Sequence, residues 1–152
     1  MILADYGDSL YKVLFLGHII SLIVAFAPAV INPIMMAKLK AQGDHATLPK
    51  VAGIAASNGR QIHFPALIAL GAFGLAMVLW SDPAFGFDQA WVSLAFLNWI
   101  AITGLVSAVM LPGERKMSEG DLSVEKRVET CGQIITVLTL VMLYLMIWKP
   151  GL

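Results

Sequence analysis

The stretch VLFLGHIISLIVAFAPAVINPIMMA, residues 13–37, contains no Asp, Glu, Lys or Arg. Three further stretches share this property, at 61–81, 89–113 and 130–148. A helix rises about 1.5 Å per residue, so about 20 apolar residues cross the ~30 Å hydrocarbon core of a bilayer. The sequence therefore predicts one all-α domain over 1–152, a four-helix transmembrane bundle. The predicted spans lie at about 10–37, 61–80, 91–111 and 128–148.

Composition supports a membrane protein. Hydrophobic residues make up 59% of the chain and charged residues 13%, where soluble domains carry about 25% charged residues. The formal net charge is zero, which offers nucleic acid no electrostatic attraction. We therefore expect membrane lipids and other membrane subunits, or further copies of the chain, as partners, and no nucleic acid.

The basic residues are distributed unevenly between the two sides of such a bundle. Eight of the ten Lys and Arg residues fall in the first and third predicted loops: Lys38, Lys40, Lys50, Arg60, Arg115, Lys116, Lys126 and Arg127. By the positive-inside rule these loops face the cytoplasm. The pattern predicts an up-down-up-down bundle with both termini outside, in the bacterial plasma membrane.

Interfacial residues are expected at both ends of the spans. Trp80, Trp91 and Trp148 fall at outer ends, where amphipathic rings suit the lipid headgroup layer. Arg60 and His63 fall at the inner boundary, and we expect them to contact headgroups as well.

His18 is the most informative side chain because an ionisable group within a span is by default a functional-site hypothesis. Imidazole is also an axial ligand of haem, so His18 is a candidate ligand of haem b. The structural alternative is a hydrogen bond across the bundle to Asn98 or Thr139. A second haem ligand would come from Met142, Met146 or another subunit.

His63 is not expected to share an iron with His18. With Ala25 and Gly71 taken as the midpoints of their spans, His18 lies about 10 Å outward and His63 about 12 Å inward. Two ligands of one iron must lie within about 4 Å of each other. The resulting gap near 20 Å excludes a shared site within one chain.

Small residues are dense in two of the spans. Gly71 and Gly74 in the second span, and Gly104 and Ala108 in the third, permit close approach of another helix. We expect contacts with another protein at these four positions. No HExxH motif, phosphate-binding glycine loop or paired nucleophile and base is recognisable. The one acid within a predicted span is Glu129, at the inner edge of the fourth. An enzyme is therefore not predicted, and no metal site is expected.

Three segments resemble the predicted integral-membrane family of unknown function that is grouped with the copper-resistance-D-like membrane domains. They are KVLFLGH ending at His18, GRQIHFPAL over 59–67 and LMIWKPGL over 145–152. The wider group is also similar to four-helix proteins of late haem synthesis, which use a histidine in the first span and a lysine within the membrane. His18 matches that histidine, whereas the third span lacks the lysine. The resemblance thus implies haem at His18 without implying an oxidase.

Two functions follow from the sequence. The first is a small accessory or structural subunit of a larger membrane assembly, of respiratory or photosynthetic type. The alternative is a haem- or metal-handling membrane protein that uses His18 as an axial ligand.

Overall fold

The computed structural model describes residues 9–81 and 85–150, and every regular element within them is helical. The elements are α1, Ser9–Ala41; α2, Leu48–Asn58; α3, Phe64–Trp80; α4, Ala90–Leu105; α5, Leu111–Ser118; and α6, Glu125–Trp148. No strand occurs in this part of the chain. The all-α fold class is confirmed for the described residues.

Four helical units are long and apolar enough to cross a membrane, as expected of a multi-pass membrane protein. We call them the first to fourth spans: Ser9–Ala41, Leu48–Trp80, Ala90–Ser118 and Leu122–Trp148. The second span joins α2 to α3 through a π-helical turn, Gly59–His63. The third joins α4 to α5 through a second π-helical turn, Val106–Met110. A 3₁₀ turn, Leu122–Val124, opens the fourth span.

A proline follows each π-helical turn at the same distance. Pro65 is the second residue of α3, and Pro112 is the second residue of α5. Proline lacks an N–H, and its ring clashes with the carbonyl four residues earlier. Widening the preceding turn to i→i+5 hydrogen bonds removes that clash while the helix continues.

The second and third spans extend further towards the basic loops than the sequence suggested. Thr47 precedes α2, and Pro49 lies in its first turn, where proline is favoured. From there α2 continues through Gly59–His63 into α3 as one helical unit. Likewise the third span continues from α4 through Val106–Met110 into α5 and ends at Ser118.

The spans surround a core of apolar side chains. The first span packs most extensively against the second, and the fourth against the third; α2 and α5 also pack closely, whereas α1 and α6 meet sparsely. The buried cluster that joins the second, third and fourth spans contains Leu67, Leu70, Ile102, Cys131, Ile135 and Met142.

Hydrogen bonds from side-chain N–H groups to backbone carbonyls join neighbouring spans. Trp99 Nε1 of α4 donates to the Leu67 carbonyl of α3 at 2.8 Å. Asn98 Nδ2 of α4 donates to the Leu138 carbonyl of α6 at 2.7 Å. Such bonds hold spans together where lipid tails give no hydrophobic drive for helix association.

Candidate functional site

His63 satisfies a backbone acceptor that a proline leaves open. Its Nδ1 lies 2.7 Å from the Val24 carbonyl oxygen of α1. In a regular helix that carbonyl would accept from residue 28, but Pro28 has no N–H to donate. A carbonyl only accepts, so Nδ1 carries the proton and donates. His63 therefore contacts the first span directly through its Nδ1.

His18 makes the reciprocal contact, from α1 to α3. Its Nδ1 donates to the Leu70 carbonyl at 3.0 Å. The partner is thus neither Asn98, which bonds Leu138, nor Thr139, whose hydroxyl donates to Ile135. With Nδ1 protonated, a neutral His18 ring carries its lone pair on Nε2, which leaves Nε2 as the nitrogen that can ligate a metal.

The register of α1 and α3 corrects the expected distance between the two histidines. His18 lies level with Leu70 and His63 lies level with Val24. Six or seven residues separate these levels, which corresponds to about 10 Å along the helices rather than 20 Å. The midpoints assumed from sequence were wrong because the second span continues beyond its apolar stretch. A gap of ~10 Å still excludes one shared iron.

A cavity of about 650 Å³ lies in the half of the bundle that carries the basic loops. It opens along the sparse seam between α1 and α6, where exposed lining residues such as Pro33 and Gln133 border it. Its volume is in the range of small-molecule sites. His63 lines it, and its further polar lining includes Asn32, Lys40, Glu114, Glu125 and Glu129.

An ion pair closes the end of the seam beside the basic loops. Lys40 Nζ lies 2.7 Å from Glu125 Oε1 and 3.9 Å from Glu129 Oε2. These groups are partly exposed, and the pair joins the end of the first span to the start of the fourth. It also brings the first and third loops to the same end of the bundle.

Glu114 is the site residue that sequence reasoning missed. Its side chain lines the cavity, the residue is only 9% exposed, and its Oε2 lies close to Gly59, where an added Cβ would be 3.5 Å away. The third predicted span ended at about 111, before this acid. The spacing Met110, Glu114, Met117 was the available signal, because it continues one helical face past Pro112.

The four small residues expected at a protein interface fall into two groups. The Trp99 ring covers Gly71, leaving no room for a Cβ, and His18 packs against Gly74 with Cε1 3.3 Å from where a Cβ would be. Both glycines therefore pack against side chains of the same chain. Gly104 and Ala108 are exposed, and nothing lies within 4 Å of a Cβ added at Gly104.

The residues expected at the membrane interface differ in their exposure. Trp80, Trp148 and Arg60 are exposed, whereas Trp91 is only 6% exposed. Trp91 packs edge-on against Phe85, with ring centroids 5.5 Å apart. Lys149 Nζ lies over both rings, 4.6 Å from the Phe85 centroid and 5.4 Å from that of Trp91. The first turn of α4 is thus covered on this side by Phe85 and Lys149.

The residues around His18 fit one part of a haem site. The imidazole has the correct tautomer, but the large cavity borders His63 rather than His18. Met142 is buried in the apolar core and Met146 is half-buried. Within 9–81 and 85–150, no three His, Cys, Asp or Glu side chains cluster as a metal site.

The fold and these contacts define the class of the protein as a four-helix integral membrane protein. No known protein family, curated protein or solved structure matches the chain.

Proposed function

We propose that the chain is a small accessory subunit of a larger membrane assembly in the bacterial plasma membrane, of respiratory or photosynthetic type. The observation that carries this proposal is the exposed, empty surface beside Gly104 on the third span. Small side chains on a lipid-facing surface leave the helix backbone uncovered, so a helix of another protein can approach it closely.

The surface is a stripe along α4 and the π-helical turn that follows it. Its exposed members are Leu94, Leu97, Ala101, Gly104 and Ala108, at spacings of three and four residues. Leu94 and Leu97 are 48% and 63% exposed, so large side chains line one half of the stripe and small ones the other. A partner helix would cross closest at Gly104, next to the π-helical turn.

Substitution of the small residues tests the proposal. Gly104→Leu together with Ala108→Leu should release the chain from its native complex, because leucines fill the groove, while the separated chain stays folded. Ala72→Leu is the matched control, since Ala72 is an exposed small residue of α3. The measurement is copurification from native membranes in mild detergent, with helicity measured on the released chain.

Two results would contradict the subunit proposal. One is retention of the complex in the double variant. The other is turnover of a substrate by the isolated chain. A cysteine at Gly104 that forms a disulfide-linked dimer would identify a second copy of the chain as the partner, and Cys131, 3% exposed, would contribute little background.

The proposed orientation has both termini outside the cytoplasm. The positive-inside rule supports it, because the two basic loops lie at one end of the bundle, where the Lys40–Glu125 ion pair joins the first span to the fourth. Cysteine at Asp88 should react with an impermeant thiol reagent in intact spheroplasts, and cysteine at Gln42 should not; both residues are exposed. The reverse labelling would overturn the orientation. Gly86 and Gly120 are poorer sites, because Asp88 crowds Gly86 and Gly120 has φ +92°.

Haem ligation by His18 is the second candidate, and the protonation of its Nδ1 favours it. The resemblance to copper-resistance-D-like membrane domains supports it further. The purified protein would then show a reduced-minus-oxidised haem spectrum that His18→Gln abolishes and His63→Gln retains. A spectrum without haem after expression with ample haem supply would reject this candidate.

A further inference from the structure

We propose that the cavity between α1 and α6 binds a lipophilic amine, a molecule with a hydrocarbon body and one protonated amino group, and that the amino group pairs with Glu114. The inference does not rest on the proposed subunit role. It stands on the cavity, on the isolation of one buried acid and on the charges of the lining.

The carboxyl group of Glu114 has no partner in the part of the chain that the structure describes. It is nine-tenths buried and lines the cavity, and among the described residues none forms a hydrogen bond or ion pair with its carboxyl group. A buried carboxylate without compensation is costly, so such groups are normally paired. A cationic group in the cavity would supply the missing partner.

The charges of the lining select a cation over an anion. Glu114, Glu125 and Glu129 line the cavity, and Lys40 is the only lysine or arginine among the described lining residues. Lys40 is engaged by Glu125 and Glu129 at the rim. Glu114 therefore remains as the uncompensated acid, and a protonated amine matches it better than a neutral hydroxyl, because charge-assisted hydrogen bonds are roughly twice as strong.

The rest of the lining suits a hydrocarbon body. Phe26, Leu67 and Met110 face the same space, as do the apolar side chains of α6. The exposed residues Ala37 and Val137 border the seam between α1 and α6. An amphiphile dissolved in the bilayer can enter sideways through this seam without crossing the ion pair at its end.

Photolabelling tests the site directly. The full chain in phosphatidylcholine nanodiscs is irradiated with a diazirine-bearing dodecylamine, and mass spectrometry locates the labelled residues. We expect label on the cavity-facing residues of α1 and α6, displaced by dodecylamine but not by dodecanol. Glu114→Gln should raise the dodecylamine concentration needed for half-displacement by about tenfold or more.

Two further variants separate binding from folding. Glu119→Gln removes an exposed acid of the same region, and it should leave labelling unchanged. Ala29→Leu retains Glu114 but fills part of the cavity, and it should reduce labelling while the helical content is unchanged. Displacement by dodecanol as effective as that by dodecylamine, or equal labelling of wild type and Glu114→Gln, would overturn the proposal. Label spread evenly over all lipid-facing residues would also overturn it.

Discussion

At the scale of single residues, the bundle relies on side-chain N–H groups that reach backbone carbonyls of a neighbouring span. His18, His63, Trp99 and Asn98 all act in this way. A carbonyl is available on every helical residue, so the donor needs no polar side chain opposite. Polar residues can therefore be few, and each one fixes the register of two spans.

The contact between His63 and the carbonyl freed by Pro28 yields the sharpest residue-scale prediction. His63→Ala should lower the free energy of unfolding by about 0.6 kcal/mol, and by up to ~1.7, because the Val24 carbonyl loses its donor. In a Pro28→Ala background the loss should be smaller, because the substituted alanine supplies a backbone N–H to that carbonyl. The measurement is a double-mutant cycle by denaturant unfolding in detergent micelles.

His45→Ala is the control for this cycle. His45 is an exposed loop residue and its replacement should leave the unfolding free energy unchanged. Equal losses from His63→Ala in both backgrounds would show that the proline does not create the need for the histidine.

Gly71 provides a second residue-scale prediction. Gly71→Ala should destabilise the fold by about 1–3 kcal/mol, because the new methyl group meets the Trp99 ring. Gly132→Ala is the matched comparison, since nothing lies within 4 Å of its added Cβ; there the higher helix propensity should stabilise by up to ~1 kcal/mol. Thermal unfolding in micelles measures both. Equal behaviour of the two variants would contradict the close packing of α3 against α4.

At the scale of elements, prolines shape the spans without ending them. Pro65 and Pro112 each follow a π-helical turn, and α2 and α5 continue the second and third spans beyond these turns. Because α5 continues the third span, Glu114 lies inside the bundle. At the opposite end α6 ends at Trp148, and the next residue, Lys149, has φ +43° and lies against the Phe85 ring, which precedes α4.

The end of α6 yields the element-scale prediction. Lys149→Met should lower the unfolding free energy by about 0.5–2 kcal/mol, because the cation–π contacts with Phe85 and Trp91 are lost. Lys12→Met, at an exposed lysine of α1, should have no such effect. Denaturant unfolding measures both variants, and similar losses in the two would assign the effect to general charge removal.

At the scale of the whole molecule, three of the four sides of the bundle are closed by helix packing and one is not. The seam between α1 and α6 is held at one end by Lys40 and its two glutamates, and the cavity lies along it. The molecule is thus open along one side, in the half that carries the basic loops.

The ion pair at the seam should contribute little to stability. Lys40→Gln should lower the unfolding free energy by less than about 1 kcal/mol, because partly exposed ion pairs are weak, and the difference should shrink at high salt. Lys50→Gln, at an exposed lysine of α2, is the control. A large, salt-independent loss in Lys40→Gln would mean that the seam depends on this residue for packing.

The sequence by itself determined the number of spans, the helical class and the clustering of basic residues in two loops, because charge-free stretches of ~20 residues have one stable form in a bilayer. It could not determine the partners of His18 and His63, which are backbone carbonyls and leave no trace in residue type. It also could not place Gly71 beneath Trp99, or Glu114 inside the bundle. Those outcomes depend on the register between spans and on helices that continue past proline, and only the packed tertiary structure decides both.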